Sequence, residues 1–349
     1  MSFVTDIGQQ ELVIDSVYPE NTSALVDLKN FYAQWQNSSN AVYAYSSGST
    51  GIPKKIALNK KAMIQSAIMT CSFLQIPQSV TTLLCMPLRF IGARMVVVRA
   101  LVSKLRIVIS EPSSHPLHGL DKSPYFAAMT PSQIISSLES AKERELLSDI
   151  KVLLIGGGAI DTELQETLKT FKNQIFSTYG MTETLSHIAL RRLSGHPESG
   201  YRPFEQVTVQ QAPDGTAVIS CPPIGVNNLK TNDIIKFNAD NTFTLVGRLD
   251  NVINSGGIKI QIETAETILK DILDFDFNIT AVPDHKLGQK AVLLGIKEVS
   301  EQLIRQCHDA LPKYWAPKTY LRVNSLPKTL SGKPDRKALG QIASNMLKK

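Results

Sequence analysis

Between residues 40 and 180 short apolar runs alternate with amphipathic segments, and no other feature restricts the fold of this chain as tightly. Ala41–Tyr45, Thr82–Met86, Leu105–Ile109 and Val152–Ile155 read as strands; Lys60–Leu74, Arg94–Val102, Ser132–Ala141 and Thr162–Lys172 read as helices. Such alternation predicts an α/β domain on a largely parallel sheet, because parallel neighbours need a crossover that is usually helical. From Val207 the pattern changes. Two runs flank Pro213-Asp214-Gly215 and two more flank Asp240-Asn241, each pair reading as a hairpin. After Asp250 an α+β pattern begins, with helices around Glu263–Leu273 and Ser300–Leu311 and strands near Ile279–Val282 and Tyr320–Val323. The expected architecture is a large N-terminal α/β domain over residues 1–249, carrying a β-rich subdomain, and a small α+β domain over residues 250–349.

Composition narrows the function classes. The 349 residues are 43% hydrophobic and 19% charged, enough apolar material for more than one core. No apolar run reaches the length of a membrane span, and the start has no charged segment followed by an apolar one, so neither a span nor a signal peptide is expected. The four cysteines are widely spaced without a CxxC pair, which argues against a disulfide framework and for a reducing cytoplasm. The net charge of +6 gathers toward Lys313–Lys349. It lacks the long basic blocks and interleaved aromatics of a nucleic-acid surface, so a solvated face or a lid over an anionic small molecule is expected instead.

The sharpest local signal is Tyr45-Ser46-Ser47-Gly48-Ser49-Thr50-Gly51-Ile52-Pro53-Lys54, directly after a predicted strand. Small residues let backbone wrap phosphate oxygens, hydroxyls donate to them, and Lys54 adds positive charge. It is not a Walker loop, since G-x-x-x-x-G-K-[ST] is absent. A Gly/Ser-rich turn without function has the same composition, so this segment alone leaves both readings open. His115-x-x-His118 has Pro116 between its histidines and no evident third ligand, which argues against zinc.

SSGSTGIPKK resembles the phosphate loop of the adenylate-forming superfamily of acyl- and aryl-CoA ligases, peptide adenylation domains and luciferases. Five further blocks follow in that superfamily's order. Gly156-Gly157-Gly158-Ala159 resembles its adenine-side turn, Ser177–Thr184 its YGxTE segment, and Thr231-Asn232-Asp233 its ribose-binding step. Gly247–Asp250 with Ser255–Ile260 resembles its hinge and glycine loop, and Leu326–Lys333 its C-terminal catalytic loop.

The resemblance implies ATP and CoA as cosubstrates, Mg2+ as cofactor and a small-molecule carboxylic acid as substrate, and leaves a homodimer open. ATP would be bound by Ser46, Ser47, Gly48, Ser49, Thr50, Gly51 and Lys54, by Gly157, Gly158 and Ala159, and by Thr178, Tyr179, Gly180 and Met181. Asp233 would take the ribose, with Arg248 on the ribose or a phosphate. Thr182, Glu183 and Lys333 would be catalytic, with Glu183 the Mg2+ ligand. Each assignment suits its side chain: a hard carboxylate oxygen for Mg2+, a carboxylate for hydroxyls, a cation where two anions meet. Asp250 would be the hinge of a mobile C-terminal domain, and Gly256 and Gly257 would line the path of CoA.

The family is normally longer, its phosphate loop lying well over a hundred residues from the start, so most of the usual N-terminal subdomain is expected to be missing. Within the family, residues 179–194 and Met86–Leu101 resemble the compact o-succinylbenzoate–CoA ligases of menaquinone biosynthesis. That substrate is a dicarboxylate and needs a cationic or hydrogen-bonding partner for its second carboxylate. Phe90, Arg94, Ser186 and His187 are the candidate acyl-pocket residues, although Arg94 reads equally as a solvated helix residue. Phe90 stands where many relatives carry histidine. Another acyl- or aryl-CoA ligase, a stand-alone enzyme charging a carrier protein, and an inactive nucleotide-binding relative remain alternatives.

Overall fold

A computed structural model describes residues 12–18, 22–46, 54–329 and 333–347. It divides into two compact units: residues 1–209 with 219–229 and 238–243, and residues 210–218 with 230–237 and 244–349. The first is built on an eight-stranded sheet. In spatial order its strands are Val13–Tyr18, Arg106–Ser110, Thr81–Leu84, Phe126–Met129, Val152–Ile155, Gln174–Met181, Ser186–Arg192 and Arg202–Pro203. Pairing is parallel as far as Gln174–Met181 and antiparallel for the last two strands.

The inner strands are continuous apolar runs because helices cover parallel sheets on both faces. All four residues of Val152–Ile155 are buried, and Leu83, Ala127, Leu153 and Ile175 share one core cluster. Burying such a large aliphatic side chain contributes ~1.5–3 kcal/mol relative to leaving it in water. Helix starts are set by local chemistry. Asn59 caps Lys60–Phe73, Asp161 caps Thr162–Lys169, and Thr130 forms a reciprocal capping box with Gln133 ahead of Pro131–Glu139.

The architecture departs from the sequence-based expectation in several places. Ala41–Ser46 is not part of the parallel sheet; it pairs antiparallel with Lys54–Asn59 in a sheet of its own. The helix expected over Ser132–Ala141 is two helices, because Ser140 leaves helical geometry and caps Ala141–Asp149. The sequence pattern also does not predict several strands, among them Val13–Tyr18, Phe126–Met129, Gln174–Met181, Ser186–Arg192 and Gly288–Gly295, or the helices Ser23–Gln36 and Arg336–Leu347. Phe126–Met129 is short and half alanine, so its pattern is faint.

Both turns behave as their chemistry dictates. The Asp214 carboxylate accepts from the Thr216 amide at 3.1 Å, and Asp240 accepts from the Thr242 amide at 3.1 Å. They lie in a four-stranded sheet of Thr208–Gln211, Thr216–Cys221, Val226–Phe237 and Phe243–Arg248. The second unit carries a further five-stranded sheet, Ile258–Gln261, Val252–Ser255, Gly288–Gly295 and Phe277–Asp284 in order, with Thr319–Arg322 beside Gly288–Gly295. Its core joins Ile253, Ile260, Leu269, Ile279 and Leu293. Among the described residues no helix is long and apolar enough to cross a membrane.

Candidate active site

In the first unit, candidate residues gather where parallel strands end, the usual ligand edge of such sheets. Ile155 pairs with Ser177, so the Gly156–Ala159 turn leaves the sheet beside Thr178. Gly157, Gly158 and Ala159 are exposed, and Thr178 is half-buried. Tyr179 is buried, its ring set against Phe243 at 5.2 Å and Tyr201 at 5.9 Å, so most of the ring belongs to the core.

The next turn is tightly specified. Register slips between Tyr179 and Gly180, and a Cβ on Gly180 would lie 2.1 Å from the Ser186 carbonyl oxygen, so only glycine fits. Thr184 is fully buried; its hydroxyl accepts from the Met181 amide at 2.9 Å and lies 2.7 Å from the Ser186 carbonyl. Leu185 and Ser186 are held at φ of 58° and 122°, a conformation costly for non-glycine residues that the surrounding bonds enforce. Thr182 is thereby half-buried and Glu183 exposed at the tip.

Ser46 and Lys54 pair in register at the ends of their two strands. Ser47, Gly48, Ser49, Thr50 and Gly51 lie outside the described residues. The strand pair brings the two ends of the predicted phosphate loop together.

Below the turn lies a polar cluster that sequence reasoning named only in part. Arg99 is 1% exposed, on the helix Ile91–Val102, of whose twelve residues nine are buried. Its Nη2 donates to the Ser186 hydroxyl at 3.3 Å, and its buried Nε has no hydrogen-bond partner among the described residues. Complete burial pushes its pKa down to about 10. Ser186 also lies 3.3 Å from His187 Nδ1, and His187 Nε2 is 3.0 Å from the Thr70 hydroxyl. Burial first, and the Arg99 charge second, hold His187 well below the usual histidine pKa. Ser186 is half-buried, so the cluster reaches the surface through it. A sequence signal for Arg99 existed: a charge inside Val96–Val98 and Ala100–Leu101 is too expensive to bury without a task.

Arg94 is not a solvated residue, and two of its guanidinium nitrogens donate to backbone carbonyls. It is buried, Nε donates to the Leu88 carbonyl at 2.6 Å, Nη1 donates to the Tyr43 carbonyl, and the guanidinium lies over the Phe31 ring. Phe90 is half-buried at the N-cap of the same helix, under the Arg89 guanidinium.

The second unit holds the remaining candidates. Arg248 is the centre: Nη1 binds Asp233 Oδ1 at 2.8 Å, while Nε and Nη2 hold the Asp250 carboxylate at 2.9 and 2.8 Å. Asn232 adds a hydrogen bond to Asp250 at 3.3 Å. Burial opposes it, but the Arg248 hydrogen bonds and charge hold Asp250 below the usual carboxylate pKa. Lys333 is exposed and lies within electrostatic range of Arg248 and Asp233. Desolvation, then the Arg248 charge, lower its pKa against the opposing pull of Asp233, and solvent limits the size of that shift. The strand bridge Lys328–Pro334 and the Thr329 amide to Lys333 carbonyl bond, 2.7 Å, close its loop. Gly256 and Gly257 form the two-residue turn between Val252–Ser255 and Ile258–Gln261, at φ of 59° and 82°; that hairpin requires positive φ at both positions. A Cβ on Gly257 would meet none of the described residues within 4 Å.

Among the described residues no group of three His, Cys, Asp or Glu side chains could hold a metal. The lone exposed carboxylate of Glu183 nonetheless fits Mg2+, which is typically held by one or two carboxylates together with substrate phosphates and water.

Comparison with known proteins agrees with this geometry. Residues 5–213 match the model of the AMP-binding enzyme family. A linear gramicidin synthase of Brevibacillus parabrevis is 22% identical over 86% of this chain, which spans 7% of that long protein. The 2-succinylbenzoate–CoA ligase of Bacillus mycoides is 25% identical over 86% of this chain and 70% of its own length. An acyl-CoA synthetase (AMP-forming)/AMP-acid ligase II-like protein from Dyadobacter fermentans has a solved structure of matching extent. It is 29% identical with a TM-score of 0.63, covering 93% of this chain and 95% of that one. A matched model over more than half the chain, on this fold and with these strand-end residues, makes the chain a member of the AMP-binding enzyme family.

Proposed function

We propose that this chain condenses a carboxylic acid with ATP to an acyl-adenylate, releasing pyrophosphate, and passes the acyl group to the CoA thiol, releasing AMP, the acid being a dicarboxylate best represented by o-succinylbenzoate. The observation that carries the choice of acid is Arg99. A fully buried guanidinium whose Nε–H has no partner among the described residues, beside Ser186 and His187, suits an anion, and charge-assisted hydrogen bonds to carboxylates are the strong ones. The likeness to 2-succinylbenzoate–CoA ligases supports the same acid.

In this reading the phosphate loop from Ser46 to Lys54 and the turn Gly157–Ala159 bind ATP with Thr178–Met181, and Asp233 and Arg248 take the ribose. Thr182 orients the reacting groups. Lys333 offsets the repulsion between the acid carboxylate and the α-phosphate, a type of contact worth ~2.7–4 kcal/mol. Glu183 would hold Mg2+, which supplies charge neutralisation at the phosphates. Residues 250–349 turn about Asp250 between the two half-reactions, with Gly256 and Gly257 along the path of CoA. Four free, buried cysteines support a cytoplasmic setting.

The test is formation of AMP and CoA-thioester from Mg2+-ATP, CoA and o-succinylbenzoate, against benzoate, fatty-acid and amino-acid controls. Product with o-succinylbenzoate alone supports the reading. Turnover only of another acid keeps the reaction and overturns the substrate, and transfer only to a carrier protein overturns the acceptor.

A further inference from the structure

We propose that Thr70 and His187 are positioning residues that set acid selectivity, by fixing the hydroxyl proton of Ser186 and, through it, the guanidinium of Arg99. This rests on the reading of Arg99 as the anchor for a second carboxylate.

The proton directions follow from counting donors. The Thr70 hydroxyl has one proton and two neighbours, the Ser66 carbonyl at 3.1 Å and His187 Nε2 at 3.0 Å. A carbonyl can only accept, so the Thr70 proton goes to Ser66 and Thr70 accepts from an Nε2–H. In a neutral imidazole Nδ1 is then bare, and it accepts the Ser186 hydroxyl at 3.3 Å. With its single proton committed there, Ser186 turns its lone pairs to Arg99 Nη2, also at 3.3 Å. Every donor in the chain thus points away from Arg99 toward the helix carrying Ser66 and Thr70.

Burial keeps the chain in one protonation state. His187 is 5% exposed, Thr70 is fully buried, and the Phe204 ring lies edge-on to the imidazole at 5.7 Å. The charged group acting on His187 is Arg99, with Cys71 also within range of Arg99. An imidazolium would set a second cation beside Arg99 and turn a second N–H onto Ser186. The Ser186 bond holds the Arg99 guanidinium at Nη2, while among the described residues its Nε–H has no partner and can take an anion.

The experiment compares o-succinylbenzoate with 4-oxo-4-phenylbutanoate, the same acid without its aromatic carboxylate, using the full chain and its Thr70→Val and Thr70→Ser variants. The wild type should favour the dicarboxylate. Thr70→Val should raise its KM about tenfold, a loss of about 1.4 kcal/mol, with little change in kcat or in KM for ATP and the monocarboxylate. Thr70→Ser should restore the wild-type value. An unchanged preference, or parallel losses for both acids and ATP, overturns the proposal. A wild type that ignores the aromatic carboxylate overturns the Arg99 reading, and this inference falls with it. Independently of any variant, 15N spectra of labelled histidine should show His187 as the Nε2–H tautomer across pH 5–8; an Nδ1–H tautomer or a titrating ring overturns the proton order.

Discussion

Arg248 holds the carboxylate of Asp250 through two parallel hydrogen bonds, 2.9 and 2.8 Å long, while its remaining Nη1 reaches Asp233 at 2.8 Å. One guanidinium thus links the proposed ribose carboxylate to the proposed hinge, in the fork geometry lysine cannot reproduce. The side chains are 41% and 35% exposed, so Asp250→Asn should cost under ~1 kcal/mol of stability. Asp250→Pro should therefore slow thioester formation more than adenylation, measured as separate half-reactions. Equal rates for variant and wild type in both would remove the hinge role.

Lys333→Ala should lower adenylation by about a hundred- to a thousandfold and spare thioester formation from preformed acyl-AMP. Because the Lys333 pKa lies below the usual lysine value, the wild-type adenylation rate should fall on the alkaline side at lower pH than a free lysine would give. Equal loss of both half-reactions would move the catalytic role elsewhere.

Gly180→Ala places a methyl 2.1 Å from a backbone oxygen, so the Met181–Ser186 turn must shift. A cost of ~1–3 kcal/mol in urea unfolding is expected, with loss of adenylation because Thr182 and Glu183 ride on that turn. A variant of unchanged stability would show that the close approach does not exist.

His187 is held neutral in the folded chain, whereas in the unfolded chain it titrates near 6.5. Below about pH 6.5 the unfolded state binds a proton the folded state does not, so stability should fall as pH drops, by about 1.4 kcal/mol per unit until the depressed folded value is reached. The difference between wild type and His187→Asn, measured from pH 8 to 5, should carry this slope. Parallel curves would mean that His187 is not buried neutral.

Arg94→Ala should act on stability more than on substrate affinity. It leaves the Leu88 carbonyl without its buried donor, at about 1–3 kcal/mol for an unsatisfied buried group, and removes the part-buried bond to the Tyr43 carbonyl. A tenfold rise in acid KM with unchanged stability would return Arg94 to the acyl pocket.

Local chemistry was legible in the chain alone. The α/β alternation, the Asp214 and Asp240 turns, the glycine pair at 256 and 257 and the ordered motifs each depend on near neighbours, whose spacing a sequence displays. Tertiary structure decided matters that join distant residues. Ala41–Ser46 left the parallel sheet because its hydrogen-bonding partner is Lys54–Asn59, and a strand pattern does not name its partner. Arg94 and Arg99 lie five residues apart on one helix and read alike, yet one meets backbone carbonyls and the other meets Ser186. Thr70 carries no sequence signal, since its role depends on the fold setting residue 70 within hydrogen-bonding distance of residue 187. Burial and the proton order of a hydrogen-bonded chain are properties of packed neighbours, and these arise only when remote segments meet.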